Sequence, residues 1–449
     1  MIWISILDKT YSKNISHLSL PSSSSKLGAF CLYCITFFYC LGPVLNSYSS
    51  IIDFIFFTSI FLSLYFFIKI KLFPPPFLKI FLILVPIFFY IVVSAVFYSE
   101  AQLFDFIRLS LKPVRIITTL LGGFALVALF LRLGRSLSSL YLFIFMAIVL
   151  HALIMILQLY SPDFKDLIYS FTTSDSIMIE SYSYEYNFRM GGLAGSFGSS
   201  TLSVAQAFGI ILLPFIKKGR GFWQRSFLNL CAVIIFFSVI ICGRSGLLFI
   251  LLFYPLSSIL VSGGFKISNS GKLVFLSLGL LGLIAAMVTV IGNLDETSDL
   301  FYALRRTFET LIALDSGGKI QDGTFNTILT FMVLPNSPEG FILGSSEFLI
   351  NTHFDRTLNS DIGYIRNLWG MGIFVALAYW MPYFYFLFKA YLNQQHLDSA
   401  KILLVIVLMS ILLHVKEDIF YSRILLSYFS IILAMFYFEK NPKNKYVRN

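Results

Sequence analysis

The chain has 449 residues, of which 57% are hydrophobic, 17% aromatic and only 12% charged, with a mean hydropathy of +0.83. That composition excludes an ordinary soluble domain and a disordered chain, and it indicates an all-α polytopic integral membrane protein. The net charge of +10 reflects membrane topology rather than a nucleic-acid surface, because the bases are distributed by side.

A hydrocarbon core about 30 Å thick takes roughly 20 apolar residues per helix. Runs of that kind predict twelve spans, near 27–46, 51–68, 77–98, 114–131, 137–159, 196–216, 226–243, 245–262, 273–292, 367–388, 401–415 and 424–438. With both termini placed in the cytoplasm, the cytoplasmic segments hold 20 of the 33 Lys and Arg but 3 of the 23 Asp and Glu. Residues 1–26 read as a short cytoplasmic leader, 27–438 as a single membrane domain and 439–449 as a basic cytoplasmic tail. Cys31 and Cys34 fall inside the first span, where they read as small hydrophobes rather than a metal or redox pair.

In chain order, "AQLFDFIRLSLK" at 101–112 predicts an amphipathic surface helix before the fourth span. His151 in the fifth span reads as an interhelical hydrogen-bond donor. An outer loop at about 160–195 follows, carrying the tyrosines of "SYSYEYNF", which suit either sugar stacking or an interfacial aromatic belt. It ends in "NFRMGGLAGSFGSS", where glycines let backbone approach a ligand and Arg189 is a candidate binding residue. Residues 226–265 contain one formal charge, Arg244 in "CGRSG". Cutting the run there leaves 18 residues before Arg244 and 21 after it, so the motif predicts a tight hairpin on the outer face. Its guanidinium either snorkels to lipid headgroups or binds an anion such as phosphate.

A second outer loop at about 293–366 includes "DLFYALRRTFETLIAL", an amphipathic pattern with Arg305 and Arg306 on its polar side. It closes with Asp361 and Arg366 before the tenth span, where Arg366 is an interfacial anchor or a ligand contact. Between the last two spans lies His414-Val415-Lys416-Glu417-Asp418, a charged turn between strongly apolar helices. No phosphate-binding glycine loop, Cys/His metal spacing or paired-carboxylate DxD motif occurs in the sequence, so no metal, nucleotide or other cofactor is predicted.

Four stretches carry a resemblance in order, sidedness and loop length: "RMGGLAGSFGSSTLSVAQAFGIILLPF", "CGRSGLLFILL", "PEGFILGSSEF" with "NSDIGYIRNLWGMGIF", and "LLHVKEDIFYSR". Together, over roughly 110–435, they resemble the superfamily of O-antigen polymerases and O-antigen ligases, membrane glycosyltransferases with a GT-C-like helical fold. The ligase branch has a His-Asn-type pair nine residues before a Gly-x-x motif; here Asn359-Ser360 precedes Gly370 at that distance, without the histidine. The departure favours polymerase over ligase.

The resemblance implies transfer on the outer face of the bacterial cytoplasmic membrane. Donor and acceptor would be glycans carried on undecaprenyl diphosphate, with membrane lipid and a chain-length regulator as further partners and no nucleic acid. Arg189 and Arg244, with Arg366 third, would stabilise the departing diphosphate. Asp361, Glu417 and His414 are the candidate catalytic bases, ahead of Glu180 and Glu185. The rival class is a lipid-linked oligosaccharide flippase, which would bury ionisable groups at mid-membrane.

Overall fold

A computed structural model describes residues 26–44, 53–70, 75–97, 103–172, 190–194, 200–243, 245–262, 282, 332, 334–335, 337–344, 362–416 and 422–440. These form α1 Lys26–Leu41, α2 Phe54–Ile70, α3 Pro75–Phe97, α4 Leu103–Arg132, α5 Leu137–Tyr160, α6 Pro162–Thr172, α7 Ser200–Lys217, α8 Phe222–Cys242, α9 Ser245–Val261, α10 Pro338–Leu343, α11 Gly363–Asn393, α12 Asp398–Leu413 and α13 Arg423–Lys440. One short 3-10 turn, Gly192–Ala194, stands between α6 and α7.

Five of these helices are long and apolar enough to cross a membrane: Pro113–Arg132 within α4, then α5, α7, α8 and α11. Helices occupy eleven of the twelve predicted stretches; 273–292 lies outside the described residues except for residue 282. The first stretch is shorter than predicted, because α1 stops at Leu41 ahead of Gly42-Pro43. Proline disfavours helical backbone in the residue before it and cannot extend the ladder. The 101–112 segment also differs, since residues from Leu103 onward run without a break into α4 through Pro113. The 160–195 segment is not all loop: Ser161 accepts from the Phe164 amide and starts α6, which buries Ile168, Tyr169 and Thr172.

Helices α4, α5, α7, α12 and α13 make the interior of the bundle, with α1, α2, α3, α8, α9 and α11 around them. Helices α8 and α9, joined at Gly243-Arg244, lean on α7 far more than on each other. Between helices in lipid the apolar effect gives little net attraction, so packing and hydrogen bonds hold the elements together. Tyr39 of α1 donates to the Thr119 carbonyl of α4 or shares its proton with Ser430 of α13, both at 2.5 Å, linking three helices. Tyr33 reaches the Met146 carbonyl of α5 at 3.0 Å. Buried hydroxyls of Thr36, Ser59 and Ser410 bond back to carbonyls four residues earlier, satisfying themselves without a partner helix.

The 31-residue α11 is not one straight rod. Straight, it would put Tyr364 and Trp380 roughly 24 Å apart, yet their rings stand 5.0 Å apart, edge to face. The bend is at Gly372, with φ 70° and ψ 169°. Residues 363–371 span about 13 Å and residues 373–393 about 31 Å, so only the second part has the length of a crossing. Against the bend lies α10, begun by Ser337 as N-cap with Pro338 behind it and ended at Gly344. Tyr90 of α3 donates to the Leu343 carbonyl and ties this short helix to the bundle.

A side chain at position 372 would drive its Cβ into the Ile342 carbonyl oxygen as well as occupy left-handed backbone. Gly372→Ala should therefore lower stability by about 2–3 kcal/mol, read as a depressed melting temperature of the detergent-solubilised protein. An unchanged melting temperature would contradict the bend.

Candidate functional site

Polar groups gather at the end of the bundle where α1 meets α2, α8 meets α9 and α12 leads to α13. Asp53 is the N-cap of α2: its Oδ1 accepts the Phe56 amide at 2.7 Å, satisfying one of the amides a helix start leaves open. Its other oxygen, Oδ2, takes Arg115 of α4 at 2.5 Å and Arg423 of α13 at 3.3 Å. Asp53 and Arg115 have side chains 0% and 1% exposed, and Arg423 is 16% exposed. Formally this triad carries one more positive than negative charge. Coulomb attraction and the bonds to Asp53 offset the cost of taking such groups from water.

Next to it, residues 190–194 run down along α5 between helices. Met190 donates its amide to the Ile241 carbonyl of α8 at 3.2 Å. The Gly192 amide donates to Gln158 Oε1 at 2.9 Å and the Leu193 amide to His151 Nε2 at 3.1 Å. Gln158 and His151 are seven residues apart, two helical turns, and so share a face of α5. His151 Nδ1 meets the Gln206 amide of α7, and Gln206 meets Ser238 of α8 at 3.4 Å. Non-helical backbone at this depth is tolerable because protein, not lipid, surrounds it and supplies partners. Gly192, at φ 57°, is required here twice: its backbone is left-handed, and an added Cβ would strike His151 Nε2. Tyr169 of α6 covers the turn; burial pushes its phenol above the ordinary value, and the neighbouring Gly191 amide works in the opposite direction.

The third group closes the C-terminus of α12. The last four carbonyls of a helix lack intrahelical partners, and here all four are met: Ser410 by the His414 amide, Ile411 by the Tyr364 hydroxyl, Leu412 by Val415 and Leu413 by Lys416. The His414 carbonyl in turn accepts the Gly363 amide at 3.0 Å, which seats the first part of α11 across this helix end. His414 is fully buried, with its Nε2 3.0 Å from the Asn367 amide nitrogen and its ring edge-on to Tyr364 at 4.4 Å. Lys416 reaches Ser245 Oγ at 3.2 Å, and the Gly246 amide donates to Ser203 of α7 at 3.0 Å.

Of the six sequence-predicted site residues, His414 and Arg366 are described; Arg189, Arg244, Asp361 and Glu417 lie outside the described residues. Arg366 is half-buried in the first part of α11, one residue before Asn367. The Met190–Ile241 bond joins the described flanks of the two chain positions that carry Arg189 and Arg244. His151 is engaged on both ring nitrogens: Nε2 accepts from the Leu193 amide, and Nδ1 faces the Gln206 side chain of α7, the interhelical partner expected from sequence. Sequence reasoning missed Asp53, Arg115, Arg423, Gln158, Gln206 and Asn367. A signal existed for the first two: each is the lone charge inside its predicted span, of opposite sign and at the same-side end.

No family model, no curated protein and no solved structure matches the chain.

Removing the Asp53 charge leaves two arginines in the triad without their shared carboxylate. Asp53→Asn should cost about 3–5 kcal/mol, and Arg423→Gln distinctly less, because Arg423 is longer-bonded and partly exposed. Thermal unfolding in detergent checks the order; equal losses would contradict the assigned geometry.

Proposed function

We propose that this chain is a twelve-span, GT-C-like glycosyltransferase of the O-antigen polymerase type. In this reading it sits in the bacterial cytoplasmic membrane with both termini inside, and the polar end of the bundle faces outward. The growing glycan moves from one undecaprenyl diphosphate to a hydroxyl of the next lipid-linked unit. The hydroxyl oxygen bonds to the anomeric carbon, the bond from that carbon to the diphosphate oxygen breaks, undecaprenyl diphosphate leaves and a base takes the hydroxyl proton. Because the donor is already activated, the chemistry asks chiefly for cations where negative charge develops.

The observation that carries this reading is the convergence at one end. The Met190–Ile241 bond draws together the chain flanking Arg189 and Arg244, beside the half-buried Lys416 and Arg423 and the helix that bears Arg366. In this proposal Arg189, Arg244 and Arg366 hold the diphosphate. His414 has its Nε2 engaged with Asn367 and its ring covered, which favours Asp361 or Glu417 as base and gives His414 the task of seating α11. A flippase is less well supported, since Asp53 caps α2, Arg423 opens α13 and Arg115 lies only two residues into the apolar span that begins at Pro113, so the triad belongs to span ends and not to their middle.

Arg244→Ala should leave expression and single-unit capping of the acceptor intact while abolishing long chains, seen as loss of the polymer ladder on a gel. Normal ladders would remove Arg244 from the mechanism. A deletion strain that lacks even single-unit product would point to the flippase instead.

A further inference from the structure

The contacts around His151 admit one self-consistent set of protons. His151 Nε2 faces the Leu193 amide at 3.1 Å, and an amide can only donate, so Nε2 bears a lone pair. A neutral imidazole then carries its proton on Nδ1, and the group facing Nδ1 must accept. That group is the side-chain amide of Gln206, whose oxygen and nitrogen are interchangeable by a half-turn. With the oxygen toward Nδ1, the Gln206 nitrogen faces Ser238 Oγ. The single Ser238 proton is already directed to the Ile235 carbonyl at 2.7 Å, leaving Oγ to accept. Every contact in the line from Ile235 through Ser238, Gln206 and His151 to Leu193 is then a donor against an acceptor. The other neutral tautomer and the imidazolium both oppose two N–H groups at Leu193.

We infer that His151 is a positioning residue, held neutral with its proton on Nδ1 so that Nε2 latches the 190–194 segment. His151, Gln206 and Ser238 are each 0% exposed, so water offers no substitute for the bond. Arg423 of α13 is close enough to this ring to act on it electrostatically, which joins the latch to the ion triad. Because Arg189 immediately precedes Met190 in the chain, the latch fixes the backbone to which the proposed diphosphate-binding arginine is joined; this last step rests on the polymerase reading above.

Three measurements test it. The chain has 5 histidines, so solid-state nitrogen NMR of histidine-labelled protein in lipid resolves few rings. One signal set with protonated Nδ1 and bare Nε2 should be present, and it should vanish in His151→Gln. A set vanishing in that variant that shows the opposite tautomer or an imidazolium would overturn the inference. Glutamine can place an oxygen near the Nε2 position, whereas leucine cannot. Hydrogen exchange of the 190–194 amides should thus be near wild type in His151→Gln and roughly tenfold faster in His151→Leu, the effect of losing one buried bond. Equal exchange in both variants would also overturn it. Both readouts stand whatever the protein's activity. Chain length supplies the third: His151→Leu should lose long polymer and His151→Gln regain it, and wild-type ladders from His151→Leu would end the positioning role.

Discussion

A peptide amide in hydrocarbon has no water to turn to, so every buried polar group must find its partner inside the protein. Most of this chain meets that constraint in the cheapest way, as helices whose bonds are internal. One end of the bundle does not. There the described backbone leaves helical geometry at 42–44, at 190–194, at Gly372 and after Leu413, and side chains complete open backbone bonds at the start of α2, along 190–194 and at the end of α12. Asp53 fills an open amide of α2 and simultaneously binds Arg115 and Arg423. Gln158 and His151 accept two amides of the glycine turn. Tyr364 takes the Ile411 carbonyl that α12 leaves open.

These solutions are connected to one another. Arg423, which opens α13, belongs to the ion triad and acts on His151. His151 holds the segment whose first described residue, Met190, is bonded to α8. The chain from α8 continues through Gly243 and Arg244 to Ser245, which Lys416 touches from the α12–α13 turn. The same turn seats the bent start of α11. These contacts join elements far apart in sequence into one packed polar network. In the polymerase reading proposed above, such an end, polar and cationic, would stabilise charge on a departing diphosphate.

The bend at Gly372 is a feature that hydropathy alone does not register. The run 367–388 is apolar enough to serve as a span, but its first five residues belong to a helix lying across the end of α12. Hydropathy responds to composition and not to direction, whereas a glycine at positive φ redirects the chain with almost no change in composition. The CGRSG motif was easier to read: a charge and two glycines in an otherwise apolar run long enough for two crossings leave a hairpin as the economical solution, and α8 and α9 do end and begin there.

From sequence alone came the helical membrane character, nearly all helix positions and the break at CGRSG, because each depends on local composition and on the fixed length of a crossing. Single candidate residues such as His414 and Arg366 were also visible, as charges or rings at the edges of apolar runs. Which of them meet was not. Asp53, Arg115 and Arg423 are separated by 62 and 370 residues in their two pairings, and Asn367 lies 47 residues from His414. Pairings of that kind follow from how helices pack against one another. Only the tertiary structure could decide which ring nitrogen of His151 accepts, since the answer depends on which amide the fold brings to its ring.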